Sequence, residues 1–446
     1  MGVAAGLALL ACGHDAQSGL TAFGSDGASQ PLATESGPAS SSEPDLDSGS
    51  SEASGGGSQI LLDVGAGTGG PGAGDCMESA ADSFNTIWIA NSPAGQVSKI
   101  DTASAVEVAR YEVGPDPAHV DPSRTSVNLE GDVAVVNRRG TVVKIAQHLD
   151  ACIDRDGDGV ISTSSGPTDV LPFGDDECVL WEATLDYDYA VDGFKAGPRA
   201  TAWEPGSGMC GTGLAYLWVG YLDAATKTAH FDRLSGEDGS LDAEVLVPDW
   251  IDLGDYGPYG GAVDRDGNFW AVGKVRAPLV KIDRTTLEYE RFDHPGGNET
   301  FYGIAIGADN APWISGRNGA LFRVDPEDGA WETMAPPGPG GLRGLAIDRD
   351  GQAWIAANEP CALVQFDTLT RTLVDASIPL PGCIEPVGVS VDFAGKVWVP
   401  DYEADLAVRV DPVSHATEIV TGLRGPYTYS DMTGGGLHLV TFPPAG

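Results

Sequence analysis

Trp218, Trp270, Trp313, Trp354 and Trp398 recur at intervals of 41 to 52 residues, each inside the same phrase. The phrase is a glycine-rich opening, a short apolar strand, a turn often shaped Asp-x-x-Gly, a tryptophan strand, and a strand ending in Asp. Its clearest copies run Gly303–Asp325, Gly344–Asp367 and Gly388–Asp411. A fixed period built of several short strands means a propeller or a solenoid, because one unit cannot bury its own apolar faces. The repeat fixes an all-β architecture but not a function.

Seven second-strand anchors are found: Trp88, Val133–Val136 and the five tryptophans above. First strands open at Ser123-Arg124, Pro198-Arg199, Pro258-Tyr259, Phe301-Tyr302, Leu342-Arg343, Pro386-Val387 and Pro426-Tyr427. The two sets are offset, since nothing opens a strand before Trp88 and Tyr427 follows the last full unit. Ring closure resolves this: a C-terminal strand near Tyr427–Met432 completes the blade of Trp88 and removes an exposed sheet edge. The expectation is a seven-bladed β-propeller of four-stranded blades over residues 79–446, with Leu437–Phe442 left over as a strand.

The phrase resembles the streptogramin-lyase-like (virginiamycin B lyase) and NHL-repeat propellers over roughly Asn85 to Thr433. That resemblance implies a lyase with histidines following proline at blade openings and a metal-binding glutamate ending a tryptophan strand. The matching positions here carry Tyr259 and Tyr302 for the histidines, and Lys274, Arg317 and Asn358 at the strand ends. A base that titrates near neutral pH is missing where the family chemistry needs it. His119 and His294, in inter-blade loops, are the alternative bases. The reading leans away from an enzyme, with a lyase as the activity if there is one.

The chain carries 25 basic and 65 acidic residues, a net charge of -40. Such a surface repels phosphate backbones and anionic lipid, which argues against nucleic-acid and membrane-surface binding. Residues 1–12 form a short apolar run that ends Leu9-Leu10-Ala11-Cys12 and resembles a lipoprotein signal with Cys12 as the lipidated residue. Residues 13–78 are dominated by Ser, Gly, Ala, Asp and Glu; too little apolar area is available to order them, so they read as a disordered tether. The expected setting is the bacterial cell envelope, lipid-anchored or secreted, with the lipid as the sole membrane contact and a monomeric chain.

Six cysteines remain beyond Cys12, an even number that favours disulfides in an exported chain. Cys152 and Cys178 bracket an insertion (148–180) between strands three and four of the second blade. Cys361 and Cys383 share the opposite face. These two pairs are expected to bond, and Cys76–Cys210 is a weaker third pair.

The insertion contains Asp154, Asp156 and Asp158 followed by Gly159, the first half of an EF-hand-type loop. Alternating carboxylates around a tight turn supply the hard oxygens that Ca²⁺ requires, with the Val160 carbonyl and Ser162 hydroxyl at the seventh and ninth positions. Position twelve is Ser165 in place of the bidentate glutamate, so a closing carboxylate has to come from Asp175, Asp176 or Glu177. The ion expected is a structural Ca²⁺.

Aligned blade on blade, the openings bring Arg124, Arg199, Tyr259, Tyr302, Arg343 and Tyr427 around one axis. Loops after the tryptophan strands add Lys274 and Arg317 on the same face. Guanidinium forks bind carboxylate, sulfate or phosphate, and tyrosines stack on sugars or rings. The sequence therefore points to an anionic or sugar-like ligand, or a protein partner, at this face. A lyase or hydrolase and a purely structural scaffold are the alternatives.

Overall fold

The computed structural model describes residues 84–443 except 297–298 and 335–337. Cys12, the tether and Cys76 lie outside these residues, and so does the expected Cys76–Cys210 pair. No helix among the described residues is long and apolar enough to cross a membrane.

Seven antiparallel sheets succeed one another around a central channel, forming the expected seven-bladed propeller. The first comprises β1 (Thr86–Asn91), β2 (Gln96–Asp101) and β3 (Val106–Glu112), and the second β4 (Pro122–Val127), β5 (Val133–Asn137), β6 (Thr141–Ile145) and β7 (Val179–Thr184). The third holds β8 (Ala200–Glu204) to β11 (Leu241–Val247), the fourth β12 (Gly260–Val263) to β15 (Tyr289–Phe292). The fifth runs from β16 (Phe301–Ile306) to β19 (Trp331–Met334), the sixth from β20 (Gly340–Ile347) to β23 (Thr372–Ile378), the seventh from β24 (Ser390–Val391) to β27 (Thr417–Thr421).

The ring closes as expected. The Tyr427 N–H donates to the Ala90 carbonyl at 3.0 Å, and the Trp88 N–H donates to the Met432 carbonyl at 2.9 Å. The C-terminal segment thus supplies the innermost strand of the first blade. The leftover tail is not a strand: besides the short helix α1 (Tyr189–Ala196) that follows β7, the chain forms helix α2 over Gly435–Thr441, which packs Leu437, Leu439 and Val440 against the channel ends of the first strands. The Asp431 carboxylate starts it by accepting N–H groups from Gly434 and Leu437 at 2.8 and 3.1 Å.

The recurring Asp-x-x-Gly turn is a small machine for fixing tryptophan. In the fourth, sixth and seventh blades one oxygen of Asp264, Asp348 or Asp392 accepts two backbone N–H groups of its own turn. The other accepts the indole N–H of Trp270, Trp354 or Trp398 at 2.8–2.9 Å. The second blade has no tryptophan on its second strand, and Asn128 there makes the two backbone bonds alone. All the anchor tryptophans are fully buried between blades. At about 25 cal/mol per Å², an indole hiding ~200 Å² contributes roughly 5 kcal/mol of transfer free energy.

Cys152–Cys178 and Cys361–Cys383 are bonded as expected, which fits an extracytoplasmic setting. The first staples the insertion between β6 and β7.

Candidate functional site

The sheet register decides which side chains meet at the channel mouth. One residue beyond the second-strand anchor, toward the first turn, the pair is Val127↔Val133, Trp203↔Leu217, Val263↔Phe269, Ile306↔Pro312, Ile347↔Ala353 or Val391↔Val397. Counting back four residues from the first member gives Ser123, Arg199, Tyr259, Tyr302, Arg343 and Val387. Ser123, not Arg124, is therefore level with the other openings. Arg124 stands one residue deeper, where later blades carry Gly260, Gly303, Gly344 and Gly388. At Gly388 a Cβ would meet the Thr428 carbonyl, so the next blade leaves that position no room.

Set deeper, Arg124 becomes part of a plug. Its guanidinium carbon lies 3.1 Å from the centroid of the Tyr429 ring and 5.1 Å from that of Tyr259. Its two terminal nitrogens donate to the Ser123 and Tyr259 carbonyls at 2.8 and 3.1 Å. Tyr259, Tyr302 and Tyr429 pack with one another, all buried. Arg199 is also buried and donates to the carbonyls of Phe194, Lys195 and Gly197. Among the described residues neither arginine has an acid within 4.0 Å. Burial pulls the Arg124 guanidinium down to about 9 and lowers that of Arg199 as well. Both remain cationic at neutral pH.

The remaining cations lie nearer the surface. Arg343 pairs with Glu385 and donates to the Tyr302 hydroxyl at 3.0 Å. Arg138 pairs with Asp121 at 2.7 Å and lies over Tyr427, 4.6 Å from the ring centroid. Lys274, half-buried, places its ammonium 4.1 Å from the centroid of Tyr256 and 4.6 Å from that of Tyr259. Burial lowers its pKa, and no acid lies within 4.0 Å among the described residues. The nearby Asp252 carboxylate is occupied by the N–H groups of Gly254, Lys274 and Val275. Tyr427 joins the layers: its hydroxyl is 2.8 Å from that of Tyr302 and 3.3 Å from that of Tyr259. Arg317 follows β17 (Pro312–Gly316) and is half-buried.

The structure thus brings Arg124, Arg199, Tyr259, Tyr302, Arg343, Tyr427 and Lys274 into one assembly. Tyr429 and Tyr256 belong to it too. The spacing from the Pro426-Tyr427 opening held the signal for Tyr429, two residues on; Tyr256 sits in an irregular loop and had none. The alternative bases stand apart from the tyrosines. His119 is exposed and pairs with Asp116, while His294 packs edge-on against Phe301, Phe322 and Trp331.

In the insertion, Asp154, Asp156 and Asp158 each offer an oxygen within 4.8 Å of the others. Asp154 accepts N–H groups from Gly157 and Gly159, and Asp158 accepts that of Val160, which curls the loop around the three carboxylates. Of the closing candidates, Asp176 is bound to Thr163, Ser164 and Cys178. Glu177 accepts the N–H groups of Arg155 and Ser162 at 2.6 and 2.8 Å. Those bonds hold its carboxyl below the usual range, so Glu177 is an ionised group beside the loop.

No protein-family model matches the chain, and no curated protein matches it. Solved structures do. A streptogramin B lyase aligns at 16% identity over 71% of this chain and 90% of its own, with a TM-score of 0.51. A functionally unknown protein from Desulfotomaculum acetoxidans aligns at 10% identity over 78% and 98%, with a TM-score of 0.52. A virginiamycin B lyase from Staphylococcus aureus aligns at 18% identity over 68% and 84%, with a TM-score of 0.47. At these identities the likeness establishes the fold alone: the chain is folded as a streptogramin-lyase-like propeller.

Proposed function

We propose that this protein is a ligand-binding propeller that holds an anionic, sugar-like ligand at its Lys/Arg/Tyr face. One observation carries the reading. Arg124, Arg199 and Lys274 converge beneath the mouth with no acid within 4.0 Å among the described residues, in a chain of net charge -40. Backbone carbonyls and tyrosine faces solvate these cations only in part, so an anion above them gains Coulomb energy at little reorganisation cost. Half-buried Lys274 and Tyr427 are the groups placed to touch it, while Arg124 and Arg199 act from below as fixed charge. In the same reading Ca²⁺ fills the Asp154–Asp158 loop as a structural ion, and Cys12 anchors the protein in the cell envelope.

The test is calorimetric titration with galacturonate and galactose at low salt. Galacturonate should bind saturably and galactose weakly, and the Lys274→Met variant should lose about tenfold in affinity. Galacturonate affinity should also fall as salt rises. No saturable galacturonate binding, or binding that Lys274→Met leaves unchanged, would overturn the proposal.

A further inference from the structure

We infer that the channel holds a second ligand site, independent of the mouth: a cavity for an uncharged, mainly apolar small molecule, closed from below by helix α2. A cavity of about 580 Å³ lies along the first strands, past the tyrosine plug. That volume falls in the range of small-molecule sites, ~300–1,000 Å³.

The repeat itself hollows it out. The residue facing the tryptophan across each innermost strand pair is small: Ala202↔Trp218, Ala262↔Trp270, Ala305↔Trp313, Ala346↔Trp354 and Ser390↔Trp398. Ser126 takes the same place in the second blade, opposite Ala134. All six line the cavity. A larger residue at any of them would fill space that the ring leaves open.

A second observation points to an occupant. Thr201, on β8, is 1% exposed and lines the cavity, yet its hydroxyl oxygen has no hydrogen-bond partner. A buried polar group left unmade costs free energy, so the site calls for a molecule that brings one donor or acceptor. The other hydroxyls are engaged: Ser126 accepts the Trp203 N–H, and Ser390 accepts that of Met432. Across the channel the wall is Ile304, Ile306, Leu345 and Ile347, with Leu437 and Val440 from α2.

The cavity's polarity excludes charge. Asp348, Asp392 and Asp431 line its lower end and outnumber the one lining cation, Arg349, which is engaged with His438, so the charge there disfavours anions. Each is already committed to indole or backbone N–H groups, so none is free to pair with a cation. The expected occupant therefore carries a single hydroxyl or carbonyl on an apolar body.

Access runs past α2. Besides the packing of Leu437, Leu439 and Val440, it is held by the Asp431 cap and by one side-chain bond, in which Arg349 donates to the His438 imidazole at 2.7 Å. Burial lowers the His438 pKa to about 4, so the ring stays a neutral acceptor.

The experiment uses the full chain and three probes of one length, 1-octanol, octanoate and octylammonium, followed by calorimetry and thermal unfolding. 1-Octanol should bind with one-to-one stoichiometry and raise Tm, with both charged probes at least tenfold weaker. Thr201→Val should weaken 1-octanol about threefold to tenfold. Ala305→Leu should abolish it, and Ala346→Leu is a second filler should the first lower Tm. Lys274→Met, at the other end of the channel, should leave it unchanged. No saturable 1-octanol binding, octylammonium binding as tight as octanol, or octanol binding insensitive to both fillers would each overturn the proposal. Loss on Lys274→Met would place the probe at the mouth and overturn it equally.

Discussion

The Asp348 carboxylate accepts the Trp354 indole N–H at 2.8 Å while its other oxygen holds two backbone N–H groups of the same turn. One side chain thereby sets both the loop and the anchor of its blade. Asp348→Ala should cost about 2–4 kcal/mol of stability, because buried donors are left unpaired and the turn loses its organiser. Chemical denaturation measures it, and a cost below ~1 kcal/mol would show the bonds to be incidental.

The fifth blade departs from the pattern, and the departure is instructive. Gly307 stands where the aspartate would be, the Trp313 indole nitrogen has no partner, and a Cβ at Gly307 would lie 2.6 Å from that nitrogen. The indole therefore occupies the space of the missing side chain. Restoring the consensus should not help: Gly307→Ala and Gly307→Asp should each destabilise by about 1–3 kcal/mol through overpacking. A stabilising Gly307→Asp would refute this account.

Much of this was legible beforehand. A tryptophan period, a proline or glycine before most first strands and paired cysteines are local signals, and they specified seven blades, the closure at Tyr427 and both observed disulfides. What escaped was register and depth. Arg124 follows the same kind of opening as Arg199, and both are buried, yet the register places Arg124 one residue deeper along its strand. The tail 437–442 reads as a strand because its residues are apolar and β-prone. In the fold it has no free sheet edge to join, and the Asp431 cap starts a helix instead.

Arg124 and Tyr429 should behave as one energetic unit. Tyr429→Leu should destabilise by about 1–3 kcal/mol, since the guanidinium loses its closest ring. In the background of Arg124→Met the same change should cost less, with a coupling of about 1–2 kcal/mol in a double-mutant cycle. Strict additivity would mean that the stacking contributes nothing.

Stability should also depend on pH through Asp232, which lies on β10 (Thr228–Ser235) away from the channel. Burial, aided by the charge of Glu244, raises its carboxyl to about 7. One oxygen accepts from the Tyr221 hydroxyl at 3.3 Å and the other has no partner. Its unfolded pKa is near ~3.9. Between these values the folded protein binds a proton that the unfolded chain lacks, so this group favours folding at low pH and loses that contribution as pH rises to 7. Asp232→Asn should raise Tm at pH 8 and flatten its change from pH 5 to 8. An unaltered profile would exclude Asp232 as the source.

The insertion loop gives a metal-dependent forecast. Saturating Ca²⁺ should raise Tm by a few degrees and EDTA should reverse it, because an ion bound only by the folded state stabilises by about 2.7 kcal/mol at a hundred times Kd. Asp156→Ala should abolish the response. An identical Tm with and without Ca²⁺ removes the ion from the proposal.

The bond from Trp88 to Met432 joins two segments that the other six blades separate along the chain. Until the segment from Tyr427 to Met432 has been made, β1 presents an unpaired edge beside six blades already able to form. Such a long-range pairing is slow to reach, and a bare edge in the meantime invites other strands. The first blade is therefore the place where chaperone demand and misassembly should concentrate while this chain is being made.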